Sequence, residues 1–79
     1  MKLTIVTPEK TVFEGMATGV VVPGTKGAFE VLDHHAPIIS SLQAGVVTVR
    51  TADGDSEFAI RSGFIEVSNN EVSVCAEME

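Results

Sequence analysis

Between Val20 and Leu42 the chain reads VVVPGTKGAFEVLDHHAPIISSL, two apolar runs held apart by two stiff corners. Pro23 and Pro37 each lack a backbone donor and have φ fixed, so neither fits inside a central ladder. Gly24 and Gly27 allow the positive φ that tight turns require. The stretch reads as strand, corner, strand, corner, strand. One corner lies at Thr25-Lys26-Gly27 and the other at Asp33-His34-His35-Ala36-Pro37, with the short apolar run Phe29 to Leu32 between them.

The same grammar extends in both directions. Lys2 to Thr7 alternates with Leu3 and Ile5 on one side, and Thr7-Pro8 ends that strand. Glu9-Lys10 is expected to turn the chain into a short strand, Thr11 to Phe13, with Gly15 as a bend or bulge before Met16 to Val22. Pro37 to Leu42 favours a short strand over a helical turn, because Ile38-Ile39 suit a pleated surface. Gly45 to Thr51 alternates, and Asp53-Gly54 predicts a hairpin with a type I′ turn into the strand Ser56 to Arg61. Ser62-Gly63 is expected to turn the chain into Phe64 to Ser68. Asn69-Asn70, residues that tolerate left-handed backbone, then close a second hairpin onto Glu71 to Ala76. No window keeps a 3.6-residue period, and turn signals recur at about the 8 to 12 residue spacing of an all-β sandwich or barrel.

Composition narrows the function classes. Seventy-nine residues make one domain, 1–79, of a size that buries only roughly 60 to 65% of its unfolded surface. With 44% hydrophobic residues, such a chain is expected to leave some apolar surface for a permanent partner. Eleven Asp and Glu against five Lys and Arg give a net charge of −6, without Trp or Tyr. That excludes a nucleic-acid surface, which needs cations, and disfavours a cold-shock-like binder. No apolar run reaches the ~20 residues of a spanning helix, so the chain is expected to be soluble, with no direct membrane insertion. The opening Met1-Lys2-Leu3-Thr4-Ile5 lacks signal- or transit-peptide features and suggests a bacterial cytoplasmic setting. The single Cys75 is expected to be a small buried apolar residue.

No catalytic constellation emerges. Neighbouring His34 and His35 point to opposite sides of an extended chain and cannot share one metal ion. Gly24-Thr25-Lys26-Gly27 lacks the GxxxxGK spacing and following helix of a phosphate loop, and none of the serines sits in a GxSxG elbow. No cofactor and no metal are expected. The acidic residues read first as a solvated face.

Several motifs together carry a resemblance: Ile5-Val6-Thr7-Pro8-Glu9 with Val12-Phe13-x-Gly15; Val22-Pro23-Gly24 with Gly27-Ala28-Phe29 and Val31-Leu32; His35-Ala36-Pro37-Ile38-Ile39-Ser40; Gly45-x-Val47-x-Val49; Gly63-Phe64-x-Glu66-Val67; and Asn70-x-Val72-x-Val74-x-Ala76-Glu77. Over nearly its whole length the chain resembles the N-terminal domain of the epsilon subunit of F-type ATP synthases. The resemblance implies an antiparallel β-sandwich of two five-stranded sheets and a non-catalytic rotor part at the foot of the central stalk, coupling the gamma subunit to the c-ring. It implies a peripheral location on the cytoplasmic face of the bacterial inner membrane. It places Lys26, Gly27, Ala28, Phe29, Glu30 and Asp33 on the ring side, and Thr7, His35 and Ser40 on the gamma side. Glu30 departs from the family's usual glycine, and Ser62 from the first glycine of a Gly-Gly pair. The sequence ends at Glu79, before the family's C-terminal helical hairpin, so inhibition of hydrolysis by such a hairpin is not expected. The competing class is a biotinyl or lipoyl carrier domain. It needs a lysine at a hairpin tip, whereas the clearest tip here is Asp53-Gly54 and Lys26 lacks the usual flanking residues.

Overall fold

The computed structural model describes residues 1–79 and contains strands only: β1 (Lys2–Val6), β2 (Thr11–Met16), β3 (Gly19–Val22), β4 (Phe29–Leu32), β5 (Ile38–Leu42), β6 (Gly45–Thr51), β7 (Gly54–Ser68) and β8 (Glu71–Met78). They form one hydrogen-bonded path, β2-β1-β8-β7-β6-β3-β4, with β5 attached to β7. The path doubles over because β7 changes partners along its 15 residues. Its first half pairs with β6 up to Ile60, and its second half pairs with β8 and β5. The register with β8 slips between Ile60 and Ser62, an irregularity of the kind that bends a strand and increases its twist.

Alternation then places the apolar residues of both halves inside. Val20, Val22, Val31, Val47 and Val49 come from β3, β4 and β6, and they share one core cluster with Leu3, Ile5, Ile65, Val67, Val72 and Val74 from β1, β7 and β8. No polar or charged residue is buried. The all-β sandwich read from the periodicity is therefore present.

Four expectations are corrected. The sheet is mixed: β1 and β8 pair in parallel, from Lys2↔Glu71 to Val6↔Cys75. Hairpins force antiparallel pairing only between consecutive strands, and β1 and β8 are the first and last, free to meet in either sense. Gly15 is neither bend nor bulge but lies within β2, opposite Leu3. The break falls at Ala17-Thr18, where successive amides serve different strands: Ala17 N donates to Met1 O (2.9 Å) and Thr18 N to Arg50 O (2.8 Å). Ser62-Gly63 does not turn the chain, since β7 runs through it. Finally, the β6–β7 turn has Ala52 and Asp53 as central residues between paired Thr51 and Gly54. Only Gly54 has positive φ there (121°), so this turn is not type I′, which needs positive φ at both central residues. The turn of that kind is Asn69-Asn70, with φ of 52° and 59° between paired Ser68 and Glu71.

Candidate interaction surfaces

The β3–β4 connection is a rigid turn. Gly27 N donates to Gly24 O at 2.9 Å, which makes Thr25 and Lys26 the central pair. Thr25 N donates to Ser41 O at 3.1 Å, the Thr25 and Ser41 hydroxyls lie 2.8 Å apart, and Gln43 N donates to Pro23 O at 2.9 Å. A side chain at Gly24 would stand 2.6 Å from Gly27 O and 2.8 Å from the Phe29 ring, so only glycine lets the turn fold this tightly. Lys26, Gly27 and Ala28 are exposed at its tip, and Phe29 is half-buried against the core. Lys26 thus stands at the tip of the corner expected at Thr25-Lys26-Gly27.

Glu30 and Asp33 are engaged within the chain. Glu30 Oε2 accepts from Arg50 Nε at 2.8 Å, while Arg50 Nη1 donates to Asp55 Oδ2 at 2.9 Å. The two carboxylates hold the guanidinium pKa above its ordinary value, Glu30 contributing most. Asp33 Oδ1 accepts from the Met1 ammonium at 2.5 Å. That bond, above all, keeps the Asp33 carboxyl below the usual aspartate range, against a smaller opposing effect of desolvation. Nearby, His34 adopts φ of 64° and its amide donates to Asn70 Oδ1 at 2.8 Å.

The residues predicted to face one partner do not share one place. Pairing of Phe29 with Val22 and of Leu32 with Gly19 runs β4 from one end of the sandwich to the other. Lys26–Ala28 and Asp33 therefore stand at opposite ends, with a strand of roughly 10 Å between them. Thr7 lies at the Lys26 end, its hydroxyl accepting from the Glu9 and Lys10 amides at 3.2 and 3.1 Å. His35 lies at the Asp33 end, with Nδ1 donating to Ala36 O at 2.7 Å. Ser40 sits mid-strand opposite Ile65, half-buried, donating to Ser41 O at 3.1 Å.

Sequence reasoning missed an apolar cleft of about 510 Å³ at the Thr7 end, lined by Val6, Pro8, Phe64, Cys75 and Glu77 among others. Phe64 is half exposed and Cys75 half-buried rather than buried. The signal was available: Val72, Val74 and Ala76 point inward, so Cys75 between them must point out. No three His, Cys, Asp or Glu side chains converge as a metal-binding set. No helix is long and apolar enough to cross a membrane.

The domain is a β-sandwich with one shared apolar core and an apolar cleft at its Thr7 end. Residues 1–78 match the family described as "ATP synthase, Delta/Epsilon chain, beta-sandwich domain", and the chain belongs to that family. The ATP synthase epsilon chain of Chlorobium limicola is 40% identical over 77 residues, covering 96% of this chain and 88% of that one. That of Leptospira borgpetersenii serovar Hardjo-bovis is 34% identical over 98% of this chain and 61% of its own length, so the chain spans about three fifths of that relative. The fold also matches a chain of the Euglena gracilis mitochondrial ATP synthase structure "OSCP/F1/c-ring in rotational state 1", with a TM-score of 0.87 at 19% identity, over 94% of this chain and 48% of that one. Membership of this family disfavours the carrier-domain reading, even though Lys26 does sit at a turn tip.

Proposed function

We propose that this domain is a non-catalytic rotor part of an F-type ATP synthase, seated at the foot of the central stalk between a gamma subunit and the c-ring. The observation that carries the reading is the family match across residues 1–78. Relatives named as epsilon chains and likeness to chains of central-stalk structures add support. Such a part transmits torque by being stiff, and a close-packed core with tethered turns deforms little.

On this reading the Lys26–Ala28 turn with Phe29 meets the ring, while Thr7, His35 and Ser40 lie toward gamma. Glu30 and Asp33 would act behind the ring surface, one through Arg50 and the other through Met1. The bacterial relatives support a peripheral place on the cytoplasmic face of an inner membrane. If β7 is divided at Arg61, its second half makes five strands with β2, β1, β8 and β5, and the Ile60↔Met78 pair, which brings the end of β8 beside the first half of β7, supports a fifth strand next to β4, β3 and β6 in the other layer. Gentle solubilisation of membranes and pull-down on this chain should recover gamma and c subunits. Recovery of the chain alone would refute the proposal.

A further inference from the structure

β4 is a four-residue edge strand, hydrogen-bonded to β3 alone. Val31 is its one buried side chain, with Phe29 half-buried. Residues of positive φ bracket it, Gly27 at 128° and His34 at 64°. A histidine resists that conformation, so release of the strand would relieve backbone strain at its far end. Two ion pairs oppose release. At the far end Asp33 accepts from the Met1 ammonium, beside the His34 amide bonded to Asn70, and in the middle Glu30 reaches Arg50. Register does not set Glu30 opposite Arg50. Glu30, Val21 and Thr48 form one row across β4, β3 and β6, and Leu32, Gly19 and Arg50 form the next. The Glu30 carboxylate therefore crosses β3 diagonally over Gly19, where a Cβ would stand 2.9 Å from Glu30 Oε2 and 3.1 Å from Leu32 Cδ2. Glycine at this position leaves the passage open. Asp55 of β7 holds Arg50 from the other side, so a guanidinium anchored in the middle of the layer grips the strand at its edge.

We propose that residues 28–33 form an ion-latched strap, which opens from the outer edge of β3 as one unit when Glu30 or Asp33 loses its pairing, while the other strands stay folded. Local opening belongs to elements with few buried apolar groups, and β4 has one. The latches set how often the strap opens. Glu30 and Arg50 are both exposed, so salt screens their attraction. Each latch also needs its carboxylate charged. The Met1 ammonium and His34 face Asp33. Arg50 of β6 faces Glu30, with Asp55 of β7 beyond it and Glu57 at the end of the Glu30 row. β3 carries no charged residue. Acid thus removes the anion from each pair and leaves the cation behind. The Asp33 carboxyl titrates below its ordinary range, so its latch is complete above that range and is lost as pH falls through the folded pKa. Closed, the strap joins the Lys26–Ala28 turn rigidly to the His35 corner. Open, it uncouples those two ends of the sandwich and bares the edge of β3. The inference concerns the chain by itself and stands apart from the stalk reading.

Amide hydrogen exchange of the isotopically labelled chain, corrected for the intrinsic rate at each pH, tests it. At neutral pH and low salt, Glu30→Gln should lower the protection of the slow β4 amides about threefold, the scale of an exposed ion pair, and leave those of β7 and β8 unchanged. Arg50→Gln should match it, and the two changes together should cost β4 no more protection than either alone. High salt should speed β4 exchange in the unaltered chain and do little in Glu30→Gln. Acidification through the carboxylate range should release β4 before β8. Glu30 is exposed, so its substitution leaves the core intact, and the salt and pH arms need no variant at all. Unchanged β4 protection in Glu30→Gln overturns the strap, as does an equal loss in β4, β7 and β8, which would mean that only the whole sandwich opens. Additive losses from Glu30→Gln and Arg50→Gln, or β4 and β8 released together by acid, overturn it as well.

Discussion

A methyl group at Gly63 would collide with the Cys75 carbonyl oxygen and stand 3.0 Å from Ala76 Cα. β8 thus presses its backbone against this position, and Gly63→Ala should cost about 2 kcal/mol, the scale of an overpacked core. Urea denaturation by circular dichroism measures it. Gly54 is glycine for the opposite reason: space around it is open, but its φ of 121° strains any side chain. Gly54→Val should cost about 1 kcal/mol or more, and an unchanged midpoint would show that the turn relaxes freely. Asp33 contributes through its charge. Its folded pKa lies below the ordinary value, so its stabilisation is present above the unfolded pKa and is lost as pH falls through the folded one. The stability gap between the unaltered chain and Asp33→Asn should therefore be constant at neutral pH and close on acidification below the usual aspartate range. A gap independent of pH would refute the ion pair's role.

The individual strands were legible because each half-buried strand alternates, as in Val72 and Val74 against Glu71 and Ser73. Misreadings gather at glycines, since a sequence shows that a glycine is present but not why. Gly15 is ordinary extended backbone, Gly63 answers a neighbouring strand, and Gly54 follows a turn instead of forming its centre. The parallel β1–β8 pairing was illegible for another reason: which distant strands meet is decided by closure of the whole core. The candidate site divides likewise. Outward placement of Cys75 could be read from parity, while the separation of Lys26 from Asp33 needed the course of β4. Element-scale rigidity is also testable. Ser41→Ala removes the hydroxyl that holds Thr25, so hydrogen exchange at the Gly27 amide should accelerate while the amides of β7 keep their protection. Unchanged exchange at Gly27 would mean that the backbone bonds alone fix the turn.

Because β7 belongs to both layers and one core cluster draws residues from each, neither layer has a separate interior to fall back on. Val49 and Val74, buried in opposite layers, should lose their native methyl signals at the same urea concentration as the circular dichroism changes. Distinct midpoints would show that the layers unfold independently. The parallel neighbours β1 and β8 also determine how the molecule bears a pull. Handles at Lys2 and Glu77 draw two side-by-side strands in opposite directions along their length, so all the bonds between them are strained at once. Handles at Lys2 and Met16 instead open the antiparallel β1–β2 pair from one end, a bond at a time. A single molecule stretched in an optical trap should therefore yield at distinctly higher force in the first geometry, so the sandwich resists load along the axis of its first and last strands better than it resists peeling of its edge.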